Sequence, residues 1–223
     1  MAQKEASVYI INLDDSMAAK RQMALKTVSR LLYKKILGGR KGDQVDILLT
    51  GTAETCNMCY NEGEDSYQNV WSFCHSKQTD APMIMPSIEM LRLLERAEQL
   101  PKSEADVVDG IIVAIQTIIA HTKHYKYQKS ILLFTDASKP IDDSGIDDIK
   151  QELSNQGITL RIWYFISNPA VTVWTILPMP KRKEHYFSFW GRPIYCWTAK
   201  PLTRICSNLL QRKSTQYRLF EVI

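Results

Sequence analysis

The chain has 223 residues, of which 45% are hydrophobic and 23% charged, with five cysteines and a formal net charge of +4. This length allows one sizeable α/β domain with an appendage, or two small domains, and the composition is that of ordinary globular material. Runs such as IIVAI and ILLF are too short to span a bilayer, five cysteines do not make a disulfide framework, and no apolar segment follows the charged MAQKEAS; the expectation is a reducing, intracellular compartment with no membrane.

The first apolar stretch, Ser7–Asn12, lacks polar alternation, which predicts a strand covered on both faces. From Met17 the period becomes helical. Ala24, Val28, Leu31, Leu32 and Ile36 share one face, and Gly38-Gly39 marks the stop. Val45–Leu49 reads as a second buried strand and Tyr67–Phe73 as an edge strand. After Pro86, Ser87 is placed to cap a short helix carrying Ile88, Leu91 and Leu94, which ends before Pro101. Ser103 and Asp106 have capping-box spacing ahead of a strong helix whose apolar face is Val108, Ile111, Ile112, Ile115 and Ile119. Ser130–Asp136 is a third buried strand. Ser144 and Asp147 open a helix with Ile149 and Leu153 inward and Gly157 as its stop, and Ile158–Ile166 is a further strand.

Strands and helices alternate throughout 7–166. That order predicts an α/β domain: a doubly wound, mostly parallel sheet with helices on both faces and right-handed crossovers. In such sheets, ligands bind beyond the carboxyl ends of the strands, where the strand order reverses. Two of the predicted ends carry oxygen-bearing side chains: Asn12, Asp14 and Ser16 on one, Thr135 and Asp136 on the other. The first set resembles the Asp-x-Ser-x-Ser element of von Willebrand factor A domains, and Thr135-Asp136 is similar to that family's Thr-Asp, with Ala137 where glycine is usual. In that family such oxygens hold magnesium, which binds a partner's carboxylate.

A hard divalent cation demands oxygen ligands in near-octahedral array. Here Asn12 is neutral where an aspartate is usual, Asp14 stands where a serine is usual, and KSEADVVDG before the strong helix contains no threonine. The expectation is a degenerate site with neither metal nor cofactor, in which Ser16 caps the first helix and Asp136 bonds backbone amides. The alternative is a metal-dependent, protein-binding von Willebrand A module.

The series VYIINLDDSM, DILLTGTAET, YQNV, MPSIEMLRLLE, EADVVDGIIVAIQTI and LLFTDAS resembles the N-terminal domain of the larger subunit of the Ku heterodimer, over about residues 5–166. The resemblance implies a von Willebrand A-like docking domain, nuclear localisation, and a role in non-homologous end joining of double-strand breaks and in telomere maintenance. It implies as partners the smaller Ku subunit, end-joining and telomere proteins, and double-stranded DNA ends reached through the complete heterodimer.

Residues 1–166 carry 19 Lys and Arg against 22 Asp and Glu, whereas 167–223 carry 9 against 2. The second segment is thus a basic extension, rich in aromatics, and one reading makes it the truncated start of a β-barrel region. As a nucleic-acid surface it would offer Lys181, Arg182, Lys183, Arg192 and Arg204 to phosphates, with Trp190 or Tyr195 stacking on bases. Alternatively, its aromatics pack against another domain. The PKRK run, Pro180–Lys183, has the composition of a nuclear-import patch.

Cys56, Cys59, Cys74 and His75 are zinc-type ligands, but a strand through 74 and 75 would turn those two to opposite faces, so free thiols are expected. GGRKGD (Gly38–Asp43) follows a helix and lacks the GK[ST] ending of a phosphate loop, so the helicase activity associated with the family finds no motif here. None of His75, His121, His124 and His185 has an evident nucleophile partner, and His121 and His124, at a helix C-terminus, are expected to carry partial positive charge. Catalysis is not expected.

Overall fold

The structure, a computed structural model, describes residues 4–62, 66–78, 81–123, 125–136 and 145–165, with the backbone of three short strands further on. Its sheet contains β1 (Glu5–Asn12), β2 (Gln44–Thr50), β3 (Val70–Ser72), β4 (Gln128–Thr135), β5 (Ile158–Phe165) and β6 (Val171–Ile176), in the order β3-β2-β1-β4-β5-β6. The four central strands are parallel, and the two outer ones run antiparallel to their neighbours. A separate two-residue pair joins β7 (Ser188–Phe189) to β8 (Arg192–Pro193).

Successive residues of a strand point to opposite faces, so a strand buried on both sides must be apolar throughout. Within β1, Tyr9 and Ile11 enter one core with Leu13 beyond the strand end, while Ala6, Val8 and Ile10 enter the other. Three helices cover the first face: α1 (Ala18–Gly38), the single turn α2 (Phe73–Ser76) and α3 (Ile88–Arg96). The second face is covered by α4 (Val107–Thr122) and α5 (Ile146–Gln156). The helix stops fall where the sequence puts them, with Gly39 capping α1 and Gly157 capping α5.

Several local expectations are corrected. The predicted strand Tyr67–Phe73 shortens to β3, and Phe73 begins a helix. The cause is tertiary: the Ser72 hydroxyl accepts the His75 N–H at 3.1 Å, and the buried Asp46 carboxylate accepts the Cys74 N–H at 3.0 Å. The cap of α4 is Asp106 itself, which accepts the Val108 N–H at 2.8 Å, while the Ser103 N–H goes to the Gly51 carbonyl. Ile88 points outward at 61% exposure, so α3 packs through Met90 and Leu94. α5 starts from Gly145; Ser144 and Ile166 lie outside the described residues. β6 extends the sheet with residues that the sequence places in the basic extension.

Candidate functional site

β1 and β4 are neighbours, and the connections run in opposite directions from them, toward β2 and β3 on one side and toward β5 on the other. The carboxyl ends of these two strands therefore flank the position where doubly wound sheets bind ligands. Asn12, Asp14, Ser16, Thr135 and Asp136 all gather there.

Asn12 is 3% exposed, and its Oδ1 accepts the main-chain N–H of Asp14 at 3.0 Å. That bond fixes which way the amide faces. Its Nδ2 then donates to Asp14 Oδ2 at 3.3 Å and to Thr135 Oγ1 at 3.5 Å. An aspartate at this position would set two buried carboxylates against each other. The amide instead sets a neutral donor against the Asp14 carboxylate.

Asp14 is buried under Gly51, whose φ is +81°. A Cβ built on Gly51 would come 2.6 Å from Asp14 Oδ1, so the glycine is required both by its left-handed backbone and by the carboxylate packed against it. Below Asp14, the Arg21 guanidinium is almost wholly enclosed and donates from Nη2 to the carbonyls of Leu13 at 2.7 Å and Asp14 at 3.0 Å. At the second strand end, the Ser16 hydroxyl donates to Asp136 Oδ1 at 3.1 Å. The Lys20 ammonium lies 3.9 Å from Asp136 Oδ2 and donates to the Phe165 carbonyl at 2.9 Å, joining the ends of β4 and β5. Burial and the Asp136 charge both raise the neighbouring Tyr164 phenol.

Ser16 therefore does not cap α1. It sits in the 3-10 turn Asp15–Met17, and Met17 occupies the cap position with no side-chain bond. Sequence reasoning missed Lys20 and Arg21. A signal was present: a helix start favours acidic side chains, yet the first turn of α1 has none and two cations follow directly. This donor set does not fit a magnesium ion. Asn12 offers Asp14 an N–H, an ammonium approaches Asp136, and the loop before α4 contains no threonine, its Glu104 carbonyl being bound to Asn69 Nδ2. Among the described residues, no group of three or more His, Cys, Asp or Glu is placed to hold a metal.

The other sequence-predicted groups lie elsewhere. Cys74 and His75 are in α2, not in a strand. The Cys74 thiol sits 3.5 Å from the Val45 carbonyl, and burial with the Asp46 charge drives it far above the usual thiol range; burial also raises Cys56 and Cys59. All three are free thiols and poor ligands in that state. His121 stands edge-on to Tyr127, and burial lowers its pKa, the opposite direction to the partial charge expected from its place in the helix. His124, His185, Lys181, Arg182, Lys183, Trp190, Tyr195 and Arg204 lie outside the described residues, and Arg192 is placed only as backbone of β8.

Residues 8–169 match the model of the Ku70/Ku80 N-terminal alpha/beta domain. The chain is 32% identical over 170 residues to ATP-dependent DNA helicase II subunit 2 of Neurospora crassa, covering 73% of this chain and 23% of that protein. It is 31% identical over 170 residues to X-ray repair cross-complementing protein 5 of Dictyostelium discoideum, covering 71% of this chain and 20% of that one. It thus spans about a quarter or less of the curated relatives it matches. Among solved structures, the pilus adhesin SpaC of Lactobacillus rhamnosus GG in its open conformation aligns over 60% of this chain and 15% of its own, at 13% identity and a TM-score of 0.44. With residues 8–169 matched, the chain belongs to the Ku70/Ku80 N-terminal alpha/beta domain family.

Proposed function

We propose that this chain is the N-terminal docking domain of a Ku-type end-joining scaffold: it pairs with the smaller Ku subunit, acts in the nucleus on double-strand breaks and at telomeres, and meets DNA ends through the complete heterodimer. The observation that carries the reading is the apex of the sheet, where Lys20 and Arg21 supply from within the positive charge that a ligand-bridging ion would otherwise bring. A domain built this way engages partners through its outer surface. Family membership supports the same reading, as do relatives whose names refer to DNA helicase II and X-ray repair.

The chain is read as a scaffold, without catalysis and without a bound metal or cofactor. GGRKGD closes α1 and leads into β2, with Asp43 buried against Lys35 and Arg40, the reverse of a phosphate loop, which opens a helix. Lys181, Arg182, Lys183, Arg192 and Arg204 are assigned any phosphate contact this chain makes directly. Co-expression with a smaller Ku subunit tests the proposal. A complex of the two subunits is expected by size-exclusion chromatography, whereas a chain that is folded by circular dichroism yet elutes alone would overturn it.

A further inference from the structure

Helix α1 carries six Lys and Arg and no Asp or Glu. Three of those cations have work inside the fold. Lys20 and Arg21 serve the apex, and Lys35 donates to Glu5 at 2.6 Å and to Asp43 at 3.4 Å. The other three, Lys26, Arg30 and Lys34, are exposed, and among the described residues none has an ion-pair partner. Between them lie three large apolar side chains turned to solvent: Met23 at 45% exposure, Tyr33 at 55% and Leu37 at 69%.

Helical geometry puts these six residues together. At 100° per residue they fall within one stripe about 100° wide and about 21 Å long, opposite the buried Ala24, Leu25, Val28 and Leu32. The fold does not call for this arrangement. Lys26, Arg30 and Lys34 succeed one another at i, i+4 spacing, where like charges repel. The adjacent α3 shows what a merely solvated face looks like: its exposed charges, Glu89, Arg92, Glu95 and Arg96, mix both signs.

We propose that this stripe of α1 docks an acidic amphipathic peptide segment of a partner protein. Carboxylates of the segment pair with Lys26, Arg30 and Lys34, while its apolar side chains cover Met23, Tyr33 and Leu37. Charge complementarity selects the occupant. The chain's own 167–223 segment, with nine basic residues against two acidic, has the wrong sign to fill the stripe. A nucleic acid would use the three cations but would leave Met23 and Leu37 against water, where exposed apolar surface has no partner. The inference does not rest on the Ku-type reading, since any acidic partner with this pattern would serve.

The test uses the whole chain and a labelled Glu/Leu peptide patterned as an amphipathic helix, about 14 residues long to match the stripe. A Glu/Ser peptide of equal length, a duplex DNA and phosphatidylserine vesicles serve as competitors. The Glu/Leu peptide is expected to bind, with amide NMR shifts confined to α1. The combined change Lys26→Glu, Arg30→Glu and Lys34→Glu should weaken it about tenfold or more, as should loss of the leucines from the peptide. Met23→Ser with Leu37→Ser, a pair that leaves the charges in place, should weaken it several-fold without altering the melting temperature. Undiminished binding by the charge-reversed chain overturns the proposal, as does a Glu/Ser peptide that binds equally well. Displacement of the peptide from α1 by DNA or by the vesicles at lower concentration would reassign the stripe to nucleic acid or to a lipid surface.

Discussion

Exchanging one carboxylate oxygen for an amide nitrogen decides the character of position 12. Asn12 donates to Asp14, Lys20 pairs with Asp136, and Arg21 binds the carbonyls of Leu13 and Asp14 beneath them. Millimolar magnesium is therefore expected to leave the thermal midpoint unchanged, since only an ion that prefers the native state can raise it. Asn12→Asp should cost about 2 kcal/mol by setting two buried carboxylates together, measured by urea denaturation with chelator present. A second buried carboxylate makes a pH prediction. Asp46 accepts the Ile47 and Cys74 N–H groups and the Ser72 hydroxyl, yet burial prevails and raises it from 3.8 to about 6. Its proton is thus held more tightly in the folded chain than in the unfolded one. The Asp46 contribution is complete below about pH 4, is lost as the pH rises toward about 6, and amounts to on the order of 3 kcal/mol. Asp46→Asn should flatten that part of the stability profile. A variant that kept the full slope would place its origin in another group.

At the scale of elements, close approach explains what propensity does not. Gly110 is the fourth residue of α4, and within a helix glycine costs about 1 kcal/mol relative to alanine. A Cβ there would come 2.6 Å from Thr50 Cγ2 and 3.3 Å from Ile10 Cγ2, so the helix rests directly on β1 and β2. Gly110→Val should destabilise by about 3 kcal/mol through overpacking, seen as a lower denaturation midpoint with an unchanged slope. The strands were legible because burial on both faces demands unbroken apolar runs, as in Tyr9–Ile11 and Ile131–Phe134. The helix stops were legible because glycine favours the left-handed cap. β3 was not, because what ends it after Ser72 is a carboxylate 26 residues away on β2. Ile88 has helical spacing with Leu91 yet is 61% exposed, while Met90 in the same turn is fully buried. In the candidate site, the converging oxygens of Asn12, Asp14, Ser16 and Asp136 could be read from the sequence, whereas Lys20 and Arg21 join them only once α1 is set against the strand ends.

For the whole molecule, the alternating order of strands and helices was enough to give the layers, but the sixth strand was hidden inside a segment whose composition reads as a basic tail. Both outer strands are antiparallel to their neighbours, and β3 is only three residues long, which leaves little open edge on that side. The placement of β1 has a consequence for how the protein is made. The strand is made before β2 and β4 and ends up between them. Between the end of β2 at Thr50 and the start of β4 at Gln128, nearly 80 residues must be synthesised. At about 5–20 residues per second, one side of the nascent central strand stays unpaired for several seconds. A fragment of residues 1–123 should therefore fail to unfold cooperatively and should bind an apolar dye, while adding the chain through 176 restores a single transition. For a cell making this protein, those seconds are the interval in which a chaperone has the most to shield.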